Sequence, residues 1–217
     1  MEAYDAIVRF FQEGGVFMYP IVIVLAIGAA IALERFMYLS VAGVNSRRTW
    51  KKITPLLQSG RLAEAATVAA DSKTAIGNVL NYGFERIKTA RRRDDVEKAM
   101  EESMLDVMPR LEKRTHYLAT FANLATLLGL LGTIIGLIRA FTAVAAASPA
   151  EKADMLSASI SVAMNTTAFG LMAAIPLLLL HAVLQTKTTE LVDSLEMAAV
   201  KFLNTVTVIN EKKAAAA

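Results

Sequence analysis

Three stretches of this chain contain no charged side chain: residues 16–33, 117–138 and 155–180, which are 18, 22 and 26 residues long. This segregation constrains the fold more than any other feature. A helix needs about 20 mainly apolar residues to cross the hydrocarbon core of a bilayer, so each run can form one span. The chain has 217 residues, 55% hydrophobic and 20% charged. A soluble helical protein interleaves those two populations along every helix, and a chain this short has too little surface to wrap three such helices on every side. The expected fold class is an all-α membrane protein with three transmembrane helices.

The basic residues set the expected orientation. Of 23 Lys and Arg, 15 lie in residues 36–116 and four follow the third run. Only Arg9 precedes the first run, and only Arg139 and Lys152 separate the second from the third. Basic loops stay cytoplasmic, which puts the N-terminus outside and the long loop and C-terminal tail inside. The loop holds 15 bases against 10 acids, an excess suited to an anionic inner leaflet and to membrane lipids as partners. Trp50 alone stands inside a cluster of bases, too little stacking surface for nucleic acid to be expected as a partner. The first apolar run lacks a basic leader and a small-residue cleavage site, so it is expected to be retained as a span. There is no Cys, which excludes disulfides and thiolate metal sites. The Ala214–Ala217 run carries no weight in this reading.

These constraints divide the chain as follows: 1–15, an outer-interface amphipathic helix with Ile7, Phe10 and Phe11, ended by Gly14 and Gly15; 16–35, the first span; 36–116, a cytoplasmic helical loop domain; 117–146, the second span; 149–186, the third span; and 187–217, a cytoplasmic C-terminal helix and tail. Pro55, Gly60, Gly77 and Gly83 punctuate the loop into short helices over 62–70 and 76–87. Asp94 and Asp95 can cap a further helix. Its apolar residues, Val96, Met100, Met104, Val107 and Leu111, lead without a break into the second span. One helix over 94–146 is therefore expected, on the order of 75 Å long, bent at Pro109. Ser148, Pro149 and Glu151 form a strong start for the third span, whose apolar seam continues from Leu184 to Ile209. Both extended spans are expected to protrude into the cytoplasm and to pack on the loop helices and on neighbouring subunits.

Enzyme signatures are missing. The sequence has no phosphate-binding glycine loop ending in Lys, no His-Glu-x-x-His and no nucleophile elbow. No catalytic residue, cofactor or metal is expected. His116 and His181 fall near span ends, with no carboxylate or thiol at ligand spacing. The informative residues are polar ones inside the spans: Asn123, Thr126 and Thr133 in the second, and Asn165, Thr166 and Thr167 in the third. Gly129, Gly132, Gly136 and Gly170 lie beside them at the spacing of close helix contacts. Taken alone, the hydroxyls are better explained by bonding to their own backbone or gluing helices together. No Asp, Glu, Lys or His occupies the middle of any span, and a proton relay through a membrane normally uses such a group. If protons pass, another chain must supply the titrating carboxylate. Arg139 ends the second span, where it either snorkels to outer headgroups or meets an acidic partner.

The second-span run Gly129-Leu130-Leu131-Gly132-Thr133-Ile134-Ile135-Gly136-Leu137-Ile138 and the third-span run Thr167-Ala168-Phe169-Gly170-Leu171-Met172-Ala173-Ala174-Ile175-Pro176 resemble those of the MotA/TolQ/ExbB proton channel family, especially its ExbB/TolQ branch. Glu34-Arg35, the three-span order and the large loop agree. The resemblance implies a homopentamer whose second and third spans line a pore. The pore would hold the spans of a dimeric ExbD/TolR-like partner bearing the proton-carrying Asp, with motion passed to a TonB/TolA-like protein from the bacterial inner membrane. Thr133 and Thr167 match the family's pore-facing threonines. Val162 stands where the branch often has Glu, and Ala125-Thr126 where it usually has Ala-Pro. ExbB-like energising of TonB-dependent uptake is the first expectation. TolQ-like envelope maintenance, a gliding-motility stator and a passive scaffold are the alternatives.

Overall fold

The computed structural model describes residues 10–11, 14–90, 92–146, 148 and 151–215, without side chains at 146 and 210–215. These residues contain no strand and form six helices: α1 (Met18–Gln58), α2 (Leu62–Asp71), α3 (Ala75–Ile87), α4 (Arg93–Glu112), α5 (Thr115–Ala146) and α6 (Lys152–Ala215). Three of them are long and apolar enough to cross a membrane. The fold class expected from the charge-free runs is the one observed. Most of the expected amphipathic helix over 1–15 lies outside the described residues. Within the described part, Phe10 and Phe11 set their rings edge-on to Phe169, at 6.3 and 5.9 Å between centroids, rather than only facing lipid.

The chain divides into two compact units, one of residues 1–34 and 114–183 and one of 35–113 and 184–217. In the first unit, the buried positions of α5 are Thr115, Leu118, Ala122, Ala125, Gly129 and Gly132, with Ala140 beyond them. Their three- and four-residue spacing draws one stripe along the helix. The stripe is made almost entirely of small residues, and α6 meets it with Ala163, Thr166 and Gly170. Apolar side chains remain on the outside, including Leu127, Ile138, Met164 and Leu179 at 60–65% exposure. In water such a surface would aggregate, whereas in a bilayer it is the solvated face.

The second unit has a conventional apolar core. Phe84 and Phe202 pack edge to face at 4.7 Å. Gly83 admits that ring, because a Cβ there would lie 2.7 Å from Phe202 Cε1. The short helices fall where the loop's punctuation placed them, with two differences. Pro55 does not end a helix, and α1 runs past it to Gln58. Gly60, at φ +73°, ends it instead, with the Arg61 amide bonded to the Leu56 carbonyl at 2.9 Å. A left-handed terminus of this kind is one that glycine adopts without steric cost.

The larger difference is at the expected continuous helix over 94–146. It is broken at Lys113 and Arg114, the latter at φ +64°, while Pro109 lies within α4. In an unbroken helix the carbonyls of Arg110 and Leu111 would accept from the amides four residues on. Here the Arg35 guanidinium donates to both, at 3.5 Å to Arg110 and more closely to Leu111. Arg35 is 2% exposed. Carbonyls in a buried setting need a donor, and bonds to a charged donor contribute about 1.5–3 kcal/mol each. That gain offsets the cost of a non-glycine left-handed residue, about 1–2 kcal/mol. Arg114 itself reaches Glu34 at 3.5 Å.

At the start of α6, Ser148 Oγ donates to Glu151 Oε2 at 2.6 Å, and the Ser148 carbonyl accepts from the Glu151 and Lys152 amides at 3.0 and 3.2 Å. Ser148 and Glu151 are thus paired side chain to side chain rather than in the expected capping box, and Glu151 precedes α6 instead of standing at its third position; Pro149 lies outside the described residues.

Candidate functional site

Glycine brings α5 and α6 together. A Cβ on Gly170 would sit 2.7 Å from the Ala125 carbonyl oxygen and 3.0 Å from Gly129 Cα. One on Gly129 would lie 3.2–3.3 Å from Thr167 Cα, Gly170 Cα and the Thr166 carbonyl. These neighbours are all backbone, so the helices meet main chain to main chain. Gly136 faces Ala163, whose Cβ lies 3.0 Å from where its own would be, and a Cβ on Gly132 would collide with Thr166 Cγ2. The four glycines read as packing residues therefore lie on one seam.

That approach sets the hydroxyls. Thr167 Oγ1 crosses the seam and donates to the Gly129 carbonyl at 2.9 Å. Within α5 the same carbonyl accepts from the amide four residues later, that of Thr133. Thr133 and Thr167 are thus neighbours through one shared acceptor, and each is half-buried. Thr133 Oγ1 donates to the Leu130 carbonyl of its own helix at 2.6 Å. With its proton committed to a backbone carbonyl, each hydroxyl offers only lone pairs to anything outside. The pair is consequently an acceptor surface, suited to a donor such as water or a protonated carboxyl.

The other two candidates go elsewhere. Thr166, 2% exposed, shares its one hydroxyl proton between the Gly14 carbonyl at 2.6 Å and the Val162 carbonyl at 2.9 Å. It anchors the segment before α1 and does not face the Thr133–Thr167 surface. Asn165 precedes Thr167 by two residues, which on a helix is some 200° of rotation, so it lies on the opposite flank of α6. Gly132, Gly136, Arg139, Val162 and Thr166 line a cavity of ≈ 130 Å³ closed by residues 14–17. Arg139 is exposed, and the site of the missing Glu, Val162, is on this side of the seam.

Sequence reasoning missed the roles of Gly14 and Arg35. Gly14 was read only as a helix terminator, and nothing in its neighbours signals a distant threonine as donor. Arg35 marks only the end of a span in the sequence, where its neighbour Glu34 already offers it a counter-charge. Among the described residues no group of His, Cys, Asp or Glu is placed to hold a metal ion.

A model of the MotA/TolQ/ExbB proton channel family matches residues 71–197, more than half of the chain and all of the seam. A protein of Methanothermobacter thermautotrophicus described as a putative biopolymer transport protein, an ExbB homolog, is 28% identical over 197 residues. These cover 89% of this chain and 68% of that protein.

Proposed function

The chain belongs to the MotA/TolQ/ExbB proton channel family, and from that premise we propose that it works as an ExbB-like subunit of a proton-driven motor in the inner membrane. Several copies, a pentamer by resemblance, would surround an ExbD/TolR-like single-span partner that brings the titrating Asp. The work done would be TonB-dependent uptake, with TolQ-like maintenance of the envelope and gliding as sibling uses. The basic loop would face the cytoplasm.

One observation carries the reading. The Thr133–Thr167 surface has acceptors and no ionisable group. A carboxylate brought against it repels the threonine lone pairs, while a protonated carboxyl can donate to them. The threonines would therefore hold the neutral form of a partner's Asp and release the charged form, so that each proton gained or lost shifts the partner between positions. A two-position element biased by protonation is what coupling ion flow to motion requires. Arg139, exposed in the structure, would meet an acidic group of the partner on the outer side.

A passive scaffold is the second reading, and a specific observation favours it: both hydroxyl protons are already committed to backbone carbonyls. Proton flux into liposomes separates the two. With the single-span acidic partner co-reconstituted, flux should exceed that of either protein alone. Thr133→Val and Thr167→Val should each lower it about three- to tenfold, the worth of one hydrogen bond, and Thr167→Ser should retain it. Undiminished flux in both valine variants, in complexes of normal size, would reject the pore-lining role.

A further inference from the structure

Just past the first apolar run, on the same uninterrupted helix, lies a cleft of ≈ 490 Å³ between α1, the start of α3 and the end of α4. At 1.5 Å of rise per residue, Met37 and Val41 are within about two turns of Arg35, where the charge-free run has ended. The cleft has two kinds of lining. Val107 and Leu111 are buried at its floor, and Met37 and Val41 stand at its lip with 63% and 60% exposure. Lys73 and Arg110 supply cations, and among the described residues no carboxylate lines it. Arg110 shares its charge with Asp106 at 2.9 Å, so Lys73 is the stronger of the two.

The polar side is also built rather than incidental. Thr49 on α1, Ser72 and Thr74 form a closed set of hydroxyl contacts at 3.1, 2.8 and 3.3 Å. Thr74 caps α3 by accepting from the Gly77 amide at 3.1 Å. This cluster fixes the start of α3 at the cleft, where the positive end of the helix favours an anion.

We propose that this cleft binds one anionic phospholipid of the leaflet that meets the basic loop, with its phosphate between Lys73 and the first turn of α3 and its glycerol and upper acyl carbons over Met37 and Val41. The volume falls in the range of ligand pockets. Charge selects the headgroup, since a zwitterionic lipid would bring an ammonium to the same cationic rim. The apolar floor and lip argue for a lipid over free phosphate, which gains nothing from four aliphatic side chains. The position, one or two turns beyond the apolar run, is where headgroups lie. None of this depends on whether the protein conducts ions, and the assay below uses no ion gradient.

The full-length oligomer, exchanged into phosphatidylcholine nanodiscs containing a minor share of phosphatidylglycerol, is released and its retained lipids are counted by native mass spectrometry. Wild type should enrich phosphatidylglycerol over phosphatidylcholine. Lys73→Glu combined with Arg110→Glu should cut that enrichment at least about tenfold, from roughly fivefold per cation removed. Lys51→Glu with Lys52→Glu makes the same charge change elsewhere on α1 and should leave it unaltered. Val41→Trp places a bulky ring at the lip without altering charge and should also displace the lipid. The proposal is overturned if the Lys73/Arg110 variant keeps the enrichment, or if the Lys51/Lys52 control loses as much. Displacement of the lipid by inorganic phosphate alone would mean a phosphate site, and dissociation of the oligomer with lipid retention unchanged would mean that another copy covers the cleft. Either result also defeats it.

Discussion

Replacing Gly170 by alanine should weaken the protein, although alanine is the better helix former. The new Cβ would be 2.7 Å from the Ala125 carbonyl oxygen and 3.0 Å from Gly129 Cα, roughly half an ångström or more short of ordinary contact. Both neighbours are main chain, so no rotamer change relieves the clash and α5 must move away from α6. A shift of that size stretches the 2.9 Å bond from Thr167 to the Gly129 carbonyl to the limit of useful geometry. Overpacking costs about 1–3 kcal/mol, and the interhelical bond is worth about 0.6–1.7 kcal/mol in a membrane. Alanine's helix propensity returns about 1 kcal/mol, leaving a net loss of about 1–3 kcal/mol. For a chain of this size that lowers the melting midpoint by roughly 3–10 °C, measurable in nanodiscs by intrinsic fluorescence. Gly43→Ala is the matched control. It too is a helical glycine, but its Cβ would meet only Leu191 Cδ2 at an ordinary 3.4 Å, so stability should be unchanged or rise by up to about 1 kcal/mol. If the two variants shift the midpoint alike, backbone contact between α5 and α6 is not what holds the seam.

Two further changes test the second unit. Arg35→Met keeps an apolar stem but removes the donor from the carbonyls of Arg110 and Leu111; it should cost about 2–4 kcal/mol. Faster hydrogen exchange in the last turn of α4 is the readout, and unchanged exchange there would contradict the capping role. Phe202→Ala removes a fully buried ring packed edge to face with Phe84 and should cost about 3–5 kcal/mol. Adding Gly83→Ala, whose Cβ meets that ring and the flexible end of Met100, should recover part of the loss in a double-mutant cycle of melting midpoints, since the ring's removal leaves Met100 room to move.

Much of the architecture was legible before any coordinates, because a bilayer leaves few choices. Residues 117–138 and 155–180 have no charge to place, and in lipid an uncharged run must satisfy its backbone internally, as a helix does. Periodicity likewise located α2 and α3 to within a residue or so, since those helices bury one face and expose the other. The break at Lys113–Arg114 was not legible. Nothing local in Lys113-Arg114-Thr115 forbids a helix, and the proline that drew attention, Pro109, lies inside one. The break is stabilised by Arg35, 76 residues from Leu111 in sequence.

The candidate site divides in the same way. Composition alone shows that the spans carry hydroxyls, amides and glycines but no proton carrier, and spacing alone puts the glycines on one stripe. Only the packing of α5 on α6 separates Thr166 from Thr167. These are adjacent residues with the same side chain, yet 100° of helix rotation sends one hydroxyl to Gly14 and the other to Gly129. A sequence records which groups a helix possesses and on what stripe. Which neighbour each group meets depends on contacts between segments far apart in the chain, and only the folded structure sets those.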